Sequence, residues 1–339
     1  MPMNTLYNIQ YLRAFAAISV VLFHTIGTGI AYGRPVHYLG FFQAWGSSGV
    51  DLFFVISGFV MIYTQSSHKR SAYEFFLNRL TRIAPLYWIL TLLVCTLFWF
   101  MPKIFNTEGM PSLWVISSLF FSSQISAGRL PVMYVGWSLE YEMIFYSMFA
   151  VGLLIKDFSI SVLVMTSTIF ALVFLGFSNP IMLEFVFGMF CGLVFKRWRQ
   201  FRLGWTLFIL GGVMLISSRF FSPVDDLMGY SRVVFWGVPS ALIVLSVCWF
   251  EQAYQRTLSL IGDASYSIYL IQVFTISASY KLYKSHLIFL PNDAVAALVV
   301  ASTVLTGVVI FKFIERPVNS ACKRYLRSKA PIMTEATSG

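Results

Sequence analysis

Two residues in the first apolar block, Arg13 and His24, have side chains able to hold negative charge and to exchange a proton. On a helix, the eleven positions between them amount to about 16 Å of rise and about 20° past three full turns. They share one face, Arg13 near a membrane surface and His24 deep in the segment. A histidine alone on an apolar face is more often a packed residue than a catalyst. The arginine on the same face shifts that balance, because ionisable groups inside a bilayer are costly unless paired or wetted and so are functional candidates by default.

The same reasoning selects three acids. Glu140 and Glu142 open the block WSLEYEMIFY at 137–146. Two positions on a helix are about 200° apart, so the two carboxylates cannot face one cavity, and at least one is expected to pair with a basic group on another helix. Glu184 lies inside NPIMLEFVFG at 179–188. In GVDLFFVISGFVM at 49–61, Ser57 and Gly58 read as helix packing through small residues, and Asp51 as a solvated end residue. The segment GDASYSIYLIQ at 262–272 places Tyr266, Tyr269 and Gln272 along one side, and FIERPVN at 313–319 closes the last block with Glu315 and Arg316 near a surface.

The elements that must position these residues follow from composition. Of 339 residues, 58% are hydrophobic and 11% charged, against about a quarter charged in soluble domains. The apolar residues come in blocks of about 18–22, the length of a helical span. A barrel would instead alternate polar and apolar residues over about ten positions. The predicted fold is all-α: a polytopic membrane bundle of about ten transmembrane helices. The spans fall at 10–31, 46–65, 84–101, 135–155, 158–176, 180–196, 203–221, 231–250, 262–281 and 293–313. The first block lacks a basic leader and a small-residue cleavage site, so it reads as a retained helix. Residues 1–320 form the predicted transmembrane domain and 321–339 a basic cytoplasmic tail.

The net charge of +10 fits contact with an anionic leaflet or ligand, and no basic stretch interleaved with aromatics points to nucleic acid. With a cytoplasmic amino terminus, 16 Lys and Arg fall inside and 7 outside, so both termini are predicted to be cytoplasmic. Segment 70–83, RSAYEFFLNRLTRI, carries Arg79 and Arg82 and is expected to lie on the cytoplasmic face as an amphipathic helix that turns into the bilayer at Pro85. Loop 102–134 is expected to fold over the mouth of the bundle. Cys95, Cys191, Cys248 and Cys322 show no CxxC spacing and suggest neither a disulfide framework nor a metal site.

Taken together, these segments resemble the acyltransferase 3 family of bacterial membrane acyltransferases over essentially the whole chain. The resemblance rests on arginine, ten residues, then histidine (Arg13, His24), followed in order by FFVISGF at 53–59, RLTRIAPLYW at 79–88, WSLEYE at 137–142, SYSIYL at 265–270 and ERP at 315–317. In length the chain is similar to stand-alone members that modify exopolysaccharides. The resemblance implies a multi-pass enzyme of the bacterial inner membrane with an acyl-CoA donor, acetyl-CoA first, and no tightly bound cofactor. The acceptor would be a sugar hydroxyl of a surface polysaccharide or its lipid-linked precursor, with polysaccharide-assembly proteins as partners. It also implies His24 as the central catalytic residue, Arg13 as its partner, and Arg79 and Arg82 as donor contacts. A pair of arginines independently suits the phosphates of coenzyme A.

Family members often carry a histidine shortly after SYSIYL, where this sequence has Gln272. His37, His68 and His286 fall in predicted loops, leaving His24 as the histidine inside a span. His24 could act as general base toward the sugar hydroxyl, or take the acyl group itself. Glu142 or Glu140 could orient the imidazole, and Arg13 could stabilise developing charge or hold the donor. Ser138, Tyr141, Glu184, Tyr269 and Gln272 are further pocket candidates. The competing class is a transporter or flippase for a lipid-linked saccharide, but neither internal duplication nor paired broken helices is visible.

Overall fold

The computed structural model describes residues 6–67, 70–104, 109–220, 229–286 and 290–329. Among them every regular element is helical. The α-helices are α1 (Tyr7–Ala31), α2 (Gly49–Ser67), α3 (Ala72–Phe100), α4 (Ser112–Leu119), α5 (Ser123–Ser126), α6 (Trp137–Gly152), α7 (Phe158–Phe174) and α8 (Leu183–Arg197). They continue with α9 (Gly204–Ser217), α10 (Tyr230–Arg232), α11 (Val238–Cys248), α12 (Arg256–Asp263), α13 (Ser265–His286), α14 (Asn292–Ile310) and α15 (Arg316–Lys329). π-helical turns at Val233–Gly237 and Phe311–Glu315 join α10 to α11 and α14 to α15.

Five helical stretches are long and apolar enough to cross a membrane: Tyr7–Ala31, Gly46–Gln65, Ala72–Phe100, Tyr230–Cys248 and Asn292–Leu326. Their outer surfaces suit lipid, with Trp99 on α3 82% exposed. Inside, α2 and α8 approach backbone to backbone. A Cβ on Gly58 would stand 2.1 Å from the Phe185 carbonyl oxygen, and one on Gly188 2.0 Å from that of Val55. Small residues permit this contact where lipid supplies no hydrophobic drive between helices.

Segment 70–83 departs from the expectation. It does not lie along a surface and turn at Pro85, but forms the first part of the continuous helix α3, with Pro85 inside it. A capping box starts that helix, Ser71 Oγ accepting from the Glu74 N–H at 3.2 Å and Glu74 Oε2 from the Ser71 N–H at 3.3 Å. Proline costs less in a membrane helix than in water, because neighbouring helices satisfy the freed backbone groups. The arginines of this segment therefore turn inward, and Arg79 is only 7% exposed.

Other boundaries also shift. The ninth block begins at Ser265, because Arg256–Asp263 forms its own helix against α1. His286 is the last residue of α13 and not a loop residue. The final helix runs without interruption past 320 into α15, and the rest of the tail, 330–339, lies outside the described residues, as do His68 and Lys69. Of loop 102–134, residues 105–108 are also outside them, and the remainder carries α4 and α5.

Candidate active site

Five helices, α1, α2, α3, α6 and α13, enclose a cavity of about 180 Å³. Each delivers polar groups because one turn of its inner face is not apolar: Gln10 and Arg13 from α1, Ser57 from α2, and Arg79 and Arg82 from α3. Ser138, Glu142 and Tyr146 come from α6, and Ser265, Tyr266 and Tyr269 from α13. Val50, Phe53, Phe54, Val60 and Met61 supply the apolar wall.

The direct partners of Arg13 and Arg79 are neutral. Arg13 donates to Gln10 Oε1 at 3.2 Å and to Ser265 Oγ at 3.0 Å. The Arg79 guanidinium lies over the rings of Tyr146 and Phe75, 5.5 and 5.7 Å from their centroids, and its Nε has no acceptor among the described residues. Arg82 lines the cavity without a hydrogen bond to a described residue. Glu142 does not pair with any of them. Its Oε1 accepts from Ser57 Oγ at 2.8 Å and from the Tyr146 hydroxyl.

The predicted site residues divide between the cavity and its surroundings. Arg13, Arg79, Arg82, Glu142, Ser138 and Tyr269 line it. His24 does not; its ring meets those of Phe23 and Tyr134 edge-on, at 5.2 and 5.7 Å between centroids. A hydroxyl pair links the cavity to the backbone next to Tyr134. Tyr269 OH donates to the Val135 carbonyl at 2.7 Å and stands 2.8 Å from Ser138 Oγ, while the neighbouring residue Tyr134 carries the ring that meets His24. Neither Glu142 nor Glu140 is bonded to His24, and neither makes the expected ion pair with a described residue.

Glu140 instead ties down the segment around α5, accepting from the Ser123 N–H at 2.8 Å, the Gln124 N–H at 3.1 Å and Gln124 Nε2 at 3.2 Å. Tyr141 reaches the same segment through Gln124 Oε1 at 3.4 Å. Gln272 stays off the cavity and donates to the Tyr269 carbonyl at 2.9 Å. Glu184 is buried against Gly237 and beside Asp51, which is fully buried and not solvated. Asp51 accepts from Arg232 Nε at 3.0 Å and Nη2 at 2.7 Å, and the guanidinium sits between Trp137 and Trp236, 5.7 and 4.9 Å from their centroids.

Three groups had no such role in the sequence reading. Ser57 belongs to the cavity while its neighbour Gly58 does the packing. The i, i+4 spacing of Glu142 and Tyr146 was the available signal for their contact. Glu315 is buried and accepts from Ser267 Oγ at 2.5 Å, within electrostatic reach of Arg82 and Arg13. The π-helical turn re-aims this end of the last span inward. No three His, Cys, Asp or Glu side chains among the described residues are grouped so as to hold a metal.

The acyltransferase domain model of the acyltransferase 3 family matches residues 6–312, which include the residues named above as lining the cavity. The exopolysaccharide production protein ExoZ of Rhizobium meliloti (strain 1021) is 34% identical over 297 residues, covering 80% of this chain and 89% of that protein. No solved structure matches.

Proposed function

The chain belongs to the acyltransferase 3 family, and on that premise we propose that it moves an acyl group, most simply acetyl, from coenzyme A to a sugar hydroxyl in exopolysaccharide production. The observation that carries the donor assignment is the convergence of Arg13, Arg79 and Arg82 on one cavity. Guanidinium groups bind phosphates through charge-assisted, often bidentate hydrogen bonds, and coenzyme A arrives with several. In this reading, with the predicted ten spans and both termini cytoplasmic, the cavity opens toward the cytoplasmic face of the inner membrane, where the donor is found. The acceptor is a surface polysaccharide or its lipid-linked precursor, met from the other side.

In this reading Arg13 serves the donor and not His24, since its hydrogen bonds go to Gln10 and Ser265. The pantetheine arm extends past Phe53 toward the Tyr269–Ser138 pair. Contact with His24 then requires that pair and Tyr134 to yield. His24 takes the proton from the sugar hydroxyl as its oxygen attacks the thioester carbonyl. The tetrahedral intermediate collapses, the C–S bond breaks, and the departing thiolate recovers the proton from the imidazolium to leave as coenzyme A.

The test is transfer by the purified protein in nanodiscs, given acetyl-CoA and a lipid-linked sugar. The parent is expected to acetylate the sugar and release free thiol, and His24→Ala to do neither. A folded His24→Ala variant that transfers at the parental rate would remove His24 from the reaction. An acetylated protein that accumulates without acceptor would replace the general-base step with a covalent one. A parent that leaves the thioester intact while moving the lipid-linked sugar would make it a flippase.

A further inference from the structure

We propose that Ser57 and Tyr146 are positioning residues that hold the Glu142 carboxylate off the cavity arginines, keeping the guanidinium groups open for the phosphates of the donor. The inference deepens the donor reading above and depends on it.

Glu142 is the acid among the residues lining a cavity that also holds three arginines. It lies within electrostatic reach of Arg13 and Arg79. A carboxylate and a guanidinium that share one cavity can close into a salt bridge, often a bidentate one. Here they do not. Glu142 Oε1 is occupied twice over, by Ser57 Oγ from the facing helix at 2.8 Å and by the Tyr146 hydroxyl one turn along its own helix.

Tyr146 acts on both sides of the separation. Its hydroxyl holds the acid, and its ring supports the Arg79 guanidinium at 5.5 Å. A ring face stabilises a cation without neutralising it and leaves the in-plane N–H groups for another partner. Phe75 does the same at 5.7 Å, and no described group accepts from Arg79 Nε. Arg13, in turn, is held by a neutral amide and a neutral hydroxyl. Among the residues that line the cavity three arginines face one glutamate, an excess of positive charge at its wall that suits a ligand with at least two negative charges; Glu315 and Asp263 do not line it, though both lie within electrostatic reach of Arg13.

Loss of one hydroxyl frees the carboxylate to turn to the remaining strong donors, the arginines, and the ligand must then displace it. The experiment is calorimetric titration of coenzyme A into the purified protein in nanodiscs. Ser57→Ala is expected to weaken binding about tenfold, and Tyr146→Phe, which keeps the ring under Arg79, to do likewise. Adding Glu142→Gln to either variant is expected to restore binding, because an amide does not compete as an anion. Ser57→Thr, which retains a hydroxyl, is expected to bind as the parent does.

Parental affinity in folded Ser57→Ala and Tyr146→Phe overturns the inference, as does a loss that Glu142→Gln fails to repair, since that would mark a packing defect. A parent that does not bind coenzyme A at all overturns the donor reading and this inference with it. The pattern of parental binding with both single variants unchanged overturns the inference alone.

Discussion

The guanidinium of Arg79 rests on the ring of Tyr146, 5.5 Å from its centroid, in the interior of a helical membrane bundle. Charge at such a position is held in place without being cancelled, an arrangement suited to an anion that comes and goes.

Replacing Arg79 by glutamine is therefore expected to act on donor binding more than on the chemical step. A charge-assisted hydrogen bond contributes about 1.5–3 kcal/mol, which is roughly a tenfold to hundredfold rise in the donor dissociation constant. Initial rates over a range of acetyl-CoA concentrations check this: KM should rise while kcat at saturation changes little. A fall in kcat with constant KM would place Arg79 in the transition state instead.

His24 gives the opposite expectation, because it does not line the cavity. His24→Ala should bind coenzyme A as tightly as the parent but transfer acyl groups about 10²–10⁴-fold more slowly, the range for loss of a general base. Calorimetry and single-turnover assays on one preparation separate the two quantities. Weakened coenzyme A binding in this variant would contradict the placement of His24 off the cavity.

The ion pair between Arg232 and Asp51 joins segments 181 residues apart, with exposures of 3% and 0%. Removing one partner of a buried pair leaves an uncompensated charge and typically costs about 3–5 kcal/mol. Asp51→Asn and Arg232→Met should each lower the thermal midpoint in detergent. The double variant should be less destabilised than the sum of the two. Additive losses would mean that the pair is not energetically coupled.

Much of this architecture was legible in the order of residues, for a physical reason. A bilayer makes charge expensive, so Arg13 and Glu142 stood out against an apolar background, and the 200° between Glu140 and Glu142 foretold their separation. Convergence was not legible, since the cavity draws on five helices and no local period links Ser57 to Glu142 or Asp51 to Arg232. Pro85 misled because the rule that proline ends helices assumes water ready to receive the freed carbonyl. Ser57 and Gly58 looked alike as small residues, yet one turn of α2 presents the hydroxyl to the cavity and the glycine to α8.

The arrangement of the chain across the membrane can be tested through Cys322 on α15, which is partly exposed. The predicted ten-span topology divides the basic residues 16 to 7 in favour of the side that holds the amino terminus, so that helix is expected in the cytoplasm. A membrane-impermeant thiol reagent should label Cys322 in inverted vesicles and not in intact spheroplasts, with Cys322→Ser as the control. Labelling in spheroplasts would reverse the orientation and with it the side from which the donor enters.

The approach of α2 to α8 supplies the last prediction, because two glycines on different faces should respond in opposite directions. A Cβ on Gly188 would meet the Val55 carbonyl oxygen at 2.0 Å, a backbone atom that cannot step aside without moving the helix. Gly188→Ala should therefore destabilise by about 1–3 kcal/mol, as overpacking does. A Cβ on Gly212 in α9 meets nothing within 4 Å, so Gly212→Ala should be neutral or stabilise by about 0.5–1 kcal/mol through helix propensity. Thermal unfolding in one detergent ranks the two. Because Phe53, Phe54 and Ser57 lie on the helix that Gly188 packs against, its alanine variant should also weaken coenzyme A binding, and the Gly212 variant should leave it unchanged. Equal behaviour of the two variants would show that the α2–α8 contact does not set the shape of the cavity.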